Sequence, residues 1–324
     1  MEPKPHRSSG LRRFVPQPEH FAARYGNFTL TPRDYAILDL IYRYRYLEAR
    51  HVRALITGSD QQITRRLQGL FHNRYIRRYA SRQRMRPDLN TGAPLVAYGL
   101  ELRGARVLAG HSAQVLAADG HPAQPVRWKK EYTRRTEWFL EHRLMISNFR
   151  CVLELALHQM PGVELVSWDQ GQDTWLRATI PCSPRRSVRV APDAHFTLRE
   201  AGHLRHFFLE MDRSTEEHRR LLQKYLGYWW YLQSPHFQQA NPGNRRVNVL
   251  FVTTGYQRML NMMETLRNMP KPNRGGHGGK GLFWFCLQNG YRLEEPASIL
   301  STIWRTAADP TAGKELTICP SGEI

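Results

Sequence analysis

The sequence has no run of 18 or more apolar residues, only four cysteines and few acidic residues for its length of 324. Without a long apolar run, no helix is expected to span a bilayer, and the basic N-terminus lacks the apolar segment of a secretory signal. The cysteines form no C-x-x-C pair, which argues against a zinc site or a disulfide framework and favours a reducing compartment. We therefore expect a cytoplasmic protein with no membrane partner.

The scarcity of acidic residues leaves a large positive charge, with 47 Lys and Arg against 28 Asp and Glu and a net charge of +19. Residues 1–135 hold 25 basic and 10 acidic side chains, whereas the rest of the chain holds 22 and 18. A charge of this size predicts a polyanionic partner. Because no basic amphipathic helix with a broad apolar face stands out, nucleic acid is favoured over an anionic membrane.

Three helical segments follow one another near the N-terminus. Thr31, Pro32 and Asp34 form a helix start, with a capping hydroxyl, a proline at the first helical position and an acid two residues later. Apolar residues then recur at helical spacing, and two further helices are predicted over residues 47–56 and 61–73. A tight turn joins these two helices, which is the arrangement of a helix-turn-helix.

Two short strands are predicted after the third helix, over residues 75–79 and 95–98. They enclose an arginine-rich turn, which is typical of the wing in a winged helix-turn-helix domain. We expect this domain to span residues 28–110, after a flexible basic arm formed by residues 1–27. A linker rich in Gly, Ala, Pro and His is predicted over residues 111–128.

The third helix is expected to enter the major groove of double-stranded DNA, and the wing to contact phosphate or the minor groove. A pair of lysines after the linker adds a second basic cluster. The predicted DNA-contacting residues are Gln62, Thr64, Arg65, Arg66, Gln68, Arg77, Arg78, Arg82, Arg84, Arg86, Lys129 and Lys130. The alternative is a winged helix that binds protein, with its arginines solvated.

The rest of the chain predicts an α/β domain over residues 129–306, followed by a C-terminal tail over residues 307–324. A long helix over residues 138–160 precedes several strands. Residues 188–212 alternate apolar and polar side chains around a polar turn, which indicates a β-hairpin. The later predicted elements are a helix over residues 215–232, a strand over 246–254, a helix over 257–268 and a last core strand over 281–287.

Three carboxylates accompany the apolar runs of this hairpin. Glu210 and Asp212 are two residues apart on one strand, so their side chains share a face, and Asp193 on the neighbouring strand can lie close to them. A divalent cation relieves the repulsion within such a group, because Mg²⁺ prefers oxygen ligands. The pattern predicts a metal site for phosphodiester hydrolysis. The alternative is that these acids are solvated or paired with arginines.

Pro192-Asp193 and Glu210-x-Asp212 resemble the core motif of the PD-(D/E)xK nucleases. The resemblance implies a restriction-endonuclease-like α/β core with a mixed sheet, in which Asp193 and Glu210 hold Mg²⁺, with Mn²⁺ as a substitute. It also implies a lysine that positions or activates the attacking water. Asp212 stands where that lysine is expected, and Lys224 on the following helix is the candidate replacement. The predicted catalytic set is Asp193, Glu210, Asp212 and Lys224.

Four segments together resemble the plasmid replication-relaxation family of bacteria and mobile elements, over residues 30–290. They read LTPRDYAILDLIYRYRYLEARHVRAL, RRLQGLFHNRYIRR, PDAHF and FFLEMDRSTE. The resemblance implies a DNA-binding protein of a plasmid, phage or integrative element, associated with the nucleoid or plasmid. Replication, mobilisation or recombination proteins and a second copy of the chain are candidate partners.

The sequence is compatible with three functions. The first is a metal-dependent DNA nuclease or nickase that acts in replication, mobilisation or relaxation. The second is a non-catalytic replication or transcription regulator with a degenerate nuclease fold, which the missing motif lysine favours. The third is a relaxase that uses Tyr228 or Tyr231, which the core-like aromatic stripe around these residues disfavours. No His-hydrophobic-His motif supports a metal–histidine relaxase.

Overall fold

A computed structural model describes residues 15–81, 95–118, 126, 128, 137–180, 183–213, 217–240, 247–269, 281–307 and 317–318. The chain divides into two units, Met1–Cys151 and Val152–Ile324. Helices and a mixed sheet together make an α/β protein, so the predicted α/β class and the mixed sheet are confirmed. Within the described ranges, no helix is both long and apolar enough to cross a membrane.

The first unit combines helices with a small antiparallel sheet, in which β3 lies between β1 and β2. A long helix, α6, begins in this unit and crosses the division at residue 151. The elements in chain order are α1 (Pro18–Tyr25), α2 (Pro32–Tyr44), β1 (Tyr46–Glu48), α3 (Ala49–Leu55), α4 (Asp60–His72), β2 (Ile76–Ser81), β3 (Leu95–Leu100), α5 (Leu102–Ala118) and α6 (Glu137–His158).

Helix α2 begins where the sequence predicts. The carboxylate of Asp34 accepts hydrogen bonds from the backbone N–H and the hydroxyl of Thr31, both at 2.7 Å. Pro32 occupies the first helical position, where its missing N–H costs nothing. The apolar side of the helix, which includes Ile37 and Ile41, is fully buried. Capping chemistry and apolar spacing therefore fix this element locally.

The elements of the first unit differ from the sequence prediction in three places. Leu47 lies in strand β1 and not at the start of a helix, because residues 46–48 pair with β3. Helix α5 continues to Ala118, so residues 111–118 are helical and not part of a linker; their Ala-rich sequence favours the helix. Residues 18–25 of the predicted arm form helix α1, because Phe21 is buried beside His72.

The second unit is built on a six-stranded sheet with the order β11-β10-β9-β8-β7-β4. The pairs β8–β9 and β9–β10 are parallel and the others are antiparallel. Strands β5 and β6 pair separately as a two-stranded sheet. The elements are β4 (Val163–Gln170), β5 (Leu176–Ile180), β6 (Ser183–Val190), β7 (Ala194–Glu200), β8 (His203–Asp212), α7 (His218–Gln233), α8 (Pro235–Ala240), β9 (Val247–Thr253), α9 (Tyr256–Arg267), β10 (Phe283–Leu287) and β11 (Arg305–Thr306).

The predicted hairpin is present as β7 and β8, although its first strand is shorter than expected. Ala201 and Gly202 form a two-residue turn with φ values of 48° and 77°, and positive φ at both positions suits the twist of a hairpin. Residues 188–190 belong instead to β6, which pairs with β5. Pro192 lies in the break between the strands, since proline has no N–H to donate to a sheet.

Helices α7 and α9 pack on one face of the large sheet. Tyr225 of α7 is fully buried beside Phe251 and Phe283, and its hydroxyl donates to the carbonyl of Met262 at 3.1 Å. The predicted C-terminal tail also contributes to the core, because Ile318 is fully buried and its carbonyl accepts a hydrogen bond from an arginine of β8. Ile318, within the predicted tail of residues 307–324, is therefore held against the second unit.

Candidate active site and nucleic-acid interface

Asp193 and Glu210 lie side by side at the edge where β7 begins and β8 ends. The β7–β8 register pairs Ala194 with Leu209, which places the next two residues opposite each other. The backbone N–H of Asp193 donates to the carbonyl of Leu209 at 2.9 Å, and the N–H of Met211 donates to Asp193 Oδ2 at 2.8 Å. Backbone hydrogen bonds therefore hold the Asp193 carboxylate beside Glu210.

Glu210 receives two side-chain hydrogen bonds from helix α7. Lys224 Nζ lies 2.8 Å from Glu210 Oε2, and the hydroxyl of Tyr228 donates to Oε1 at 2.6 Å. Lys224 and Tyr228 are four residues apart, so they project from the same face of the helix. The structure thus brings three of the four predicted catalytic residues, Asp193, Glu210 and Lys224, to one place.

Burial governs the protonation of Glu210, whose side chain is only 2% exposed. Burial raises the pKa of the Glu210 carboxyl above its ordinary value, because a charge is poorly solvated in the protein interior. The neighbouring charge of Asp193 raises this pKa further, while Lys224 and the Tyr228 hydroxyl oppose the rise. The net direction is upward, and a perturbed carboxyl beside a lysine is typical of functional sites.

Asp212 shares a sheet face with Glu210 but has different partners. Arg258 of α9 donates to both carboxylate oxygens, through Nε at 2.9 Å and a terminal nitrogen at 3.0 Å. The hydroxyl of Thr253 in β9 adds a third hydrogen bond at 2.9 Å. This buried bidentate pair ties β8 to β9 and α9, as such charge-assisted bonds do. These hydrogen bonds connect Asp212 to β9 and α9, and none of them connects it to Asp193 or Glu210.

Tyr228, Thr253 and Arg258 have contacts in this region that the sequence does not predict. Tyr228, a candidate nucleophile from the sequence, is fully buried and donates to Glu210. Its four-residue spacing from Lys224, which puts both side chains on one face of α7, is the sequence feature that indicates a contact with Glu210. Tyr231 is also buried, and burial raises the pKa of its hydroxyl.

The donor chemistry of the Asp193–Glu210 pair fits a magnesium ion. Mg²⁺ is commonly bound through one or two carboxylates, with water and phosphate oxygens completing its shell. Each carboxylate oxygen of Glu210 accepts one side-chain hydrogen bond and has two lone pairs, so it has capacity for a further ligand. Across the described part of the chain, no group of three or more His, Cys, Asp or Glu residues is arranged to hold a metal.

Helix α4 presents several of the predicted DNA-contacting residues. Gln62 and Arg65 are exposed, and the Arg65 guanidinium lies 4.9 Å from the centre of the Tyr25 ring. Gln68 is half-buried, and the Thr64 hydroxyl accepts a hydrogen bond from an arginine of α3 at 3.0 Å. This helix therefore exposes a polar and basic surface of the kind that reads base edges.

Three other predicted contact residues are engaged within the protein. Arg66 donates to both oxygens of the fully buried Asp34 carboxylate, and to the carbonyl of Thr29 at 2.8 Å. Arg77 pairs with an acid at the start of α5 at 2.5 Å, and the Arg78 guanidinium lies 4.1 Å from the centre of a phenylalanine ring. Arg66 in particular neutralises a buried charge, which is a structural task.

The remaining predicted DNA contacts lie outside the residues that the structure describes. They are Arg82, Arg84, Arg86, Lys129 and Lys130.

The fold and site define an α/β protein with an acid–lysine cluster at a sheet edge and a strongly basic N-terminal unit. The sequence profile of the replication-relaxation family matches residues 38–247, more than half of the chain, and the chain belongs to this family. Membership associates it with the replication and relaxation of plasmids and with nucleic acid. Searches of curated proteins and of solved structures gave no significant match.

Proposed function

We propose that the chain is a DNA-binding protein of a plasmid or other mobile element, with a metal-dependent nicking or nuclease activity in its second unit. It acts in replication, mobilisation or relaxation of DNA. The first unit binds double-stranded DNA, and the Asp193–Glu210 site acts on the phosphodiester backbone.

The order of elements supports the DNA-binding role of the first unit. The series α2, β1, α3, α4, β2 and β3, with β3 between the other two strands, is the order of a winged helix-turn-helix domain. In that arrangement α4 is the recognition helix, and it carries the exposed Gln62 and Arg65. The positive charge concentrated in residues 1–135 supplies the attraction to phosphate.

The order of elements in and before the second unit supports a nuclease-like core. The series α6, β4, β7, β8, α7 and β9, with an antiparallel β4–β7–β8 meander and a parallel β8–β9 pair, is the order expected of a PD-(D/E)xK core. The observation that carries the proposal is the 2.8 Å contact between Lys224 Nζ and Glu210. It supplies from α7 the lysine that the motif lacks at position 212.

Each residue of the site has a distinct task in this proposal. Bound Mg²⁺ would supply charge neutralisation and a more acidic water, and Asp193 and Glu210 would hold it. The Lys224 ammonium orients the attacking water or the scissile phosphate. The Tyr228 hydroxyl keeps the Glu210 carboxylate in one orientation, since its hydrogen bond is 2.6 Å long and buried.

Cleavage of supercoiled and linear DNA with Mg²⁺ or Mn²⁺ tests the proposal. The unaltered protein should convert supercoiled DNA to nicked or linear forms. Asp193→Ala and Glu210→Ala should abolish conversion and retain DNA binding. Glu264→Gln, which removes an exposed carboxylate on α9, is the matched control and should cleave normally. Equal cleavage by all four proteins, or none by the unaltered protein on any substrate, would overturn the nuclease assignment.

A non-catalytic regulator is the second candidate, and one feature of the site favours it. Glu210 is nearly inaccessible, and both of its oxygens already accept hydrogen bonds from Lys224 and Tyr228. In this case the second unit is a platform for DNA or protein, and the acid–lysine pair stabilises it. Salt-sensitive DNA binding without cleavage is the result expected for this function.

A further inference from the structure

Trp175 is an exposed tryptophan stacked against an arginine. Its side chain is 47% exposed, and the Arg189 guanidinium lies 3.4 Å from the ring centre. Tryptophan is usually well buried in a folded protein, so an exposed ring held by an arginine requires a reason. Trp175 directly precedes β5 and Arg189 lies in β6, so the two-stranded sheet β5–β6 presents both residues.

The segment that forms the β5–β6 sheet is strongly basic. Residues 175–190 contain four arginines and no acidic residue; these are Arg177, Arg185, Arg186 and Arg189. The other residues after position 135 hold 18 basic and 18 acidic side chains, from totals of 22 and 18. The net charge of +4 on this segment therefore equals the net charge of all residues after position 135 taken together.

The β5–β6 sheet is fixed next to the Asp193–Glu210 site. The hydroxyl of Thr174, the residue before Trp175, donates to the carbonyl of Pro192 at 2.7 Å, and Pro192 directly precedes Asp193. Leu176 and Val190 pack into the same apolar cluster as Tyr228. Trp175 and Arg189 thus lie near the Asp193–Glu210 site but are not part of it.

We propose that the β5–β6 sheet is a binding platform for single-stranded DNA at the border of the site. An unpaired base stacks on Trp175, and the exposed Arg189 contacts a neighbouring phosphate. Aromatic rings bind unpaired bases in this manner without sequence preference, and basic side chains track the backbone. The inference rests on the proposed function and adds that the second unit engages an unpaired strand.

Fluorescence anisotropy with a fluorescein-labelled oligothymidine tests the platform, in the full chain and with excess unlabelled duplex present. Trp175→Ala should weaken binding of the oligothymidine about 5- to 150-fold, the range that loss of one stacked base gives. Trp175→Phe should restore most of the affinity, because phenylalanine also stacks. Arg199→Ala, which removes an exposed arginine from the other end of β7, is the control for a general loss of charge.

The outcomes separate this inference from the proposed function. If the unaltered protein binds DNA and the Trp175→Ala variant binds oligothymidine with the same affinity, the proposed single-strand platform is wrong. The proposed function is unaffected by that result. The same holds if Arg199→Ala weakens binding as much as Trp175→Ala. If the unaltered protein binds neither duplex nor single strand, the proposed function fails. The circular dichroism spectrum of Trp175→Ala should match that of the unaltered protein. A thermal unfolding temperature within a few degrees of the unaltered protein's would show that the fold is retained.

Discussion

Replacement of Lys224 by methionine should destabilise the second unit in a pH-dependent manner. The substitution keeps the length of the side chain but removes the ammonium that lies 2.8 Å from Glu210 Oε2. Among the residues that the structure describes, the Tyr228 hydroxyl is then the one remaining side-chain hydrogen-bond donor to the Glu210 carboxylate, which is 2% exposed. Loss of one hydrogen bond to a charged group costs about 1.5–3 kcal/mol. We expect a loss of that size in the free energy of unfolding near pH 8.

The pH dependence follows from the direction of the pKa shift. Burial raises the pKa of Glu210 in the folded protein above its ordinary value of 4.5, so the folded state binds a proton more readily than the unfolded chain. This contribution to stability is fully present below pH 4.5 and is lost as the pH rises through the folded pKa. The Lys224 ammonium lowers the pKa of Glu210, so its removal raises this pKa further. The loss of stability then continues to higher pH. Lys224→Met should therefore cost less near pH 5 than near pH 8.

Urea denaturation of four variants at both pH values tests this reasoning. Arg220→Met removes an exposed positive charge from the same helix and should change stability by less than about 0.5 kcal/mol. In the background of Glu210→Gln, Lys224→Met should cost much less than alone, because no buried charge is left unpaired. A loss that is equal at both pH values, or equal with and without the Glu210 carboxylate, would refute the argument.

Three further predictions concern the first unit. Arg66→Ala should lower the free energy of unfolding by about 3–5 kcal/mol, because it leaves the buried Asp34 carboxylate without its ion-pair partner. The neighbouring Arg65→Ala should weaken DNA binding and leave the thermal unfolding temperature nearly unchanged. Equal effects of the two substitutions on stability would contradict the structural role of Arg66. Gly104→Ala should cost about 1–3 kcal/mol in thermal unfolding, because its Cβ would collide with the backbone carbonyl of Tyr75. Duplex affinity, measured by anisotropy across a salt series, should fall steeply with salt concentration, and a flat response would argue against phosphate contacts.

The sequence predicted those elements whose causes are local. The start of α2 follows from Thr31, Pro32 and Asp34, and the β7–β8 hairpin follows from alternating side chains around a turn that ends in Gly202. Capping hydrogen bonds, helical spacing and positive φ act within a few residues, so they are visible in the order of residues. The charge distribution likewise depends on composition alone.

The structure decided which distant residues meet. Sequence spacing placed Glu210 and Asp212 on one face, yet Glu210 pairs with Lys224 of α7, whereas Asp212 pairs with Arg258 of α9. Strand β1 exists because β3 lies beside it, and three residues alone give no signal of that partner. The sequence by itself determined the local elements, the positive charge and the family motifs. Only tertiary packing decided the partner of each buried carboxylate, because each of these ion pairs joins residues from different elements of the chain.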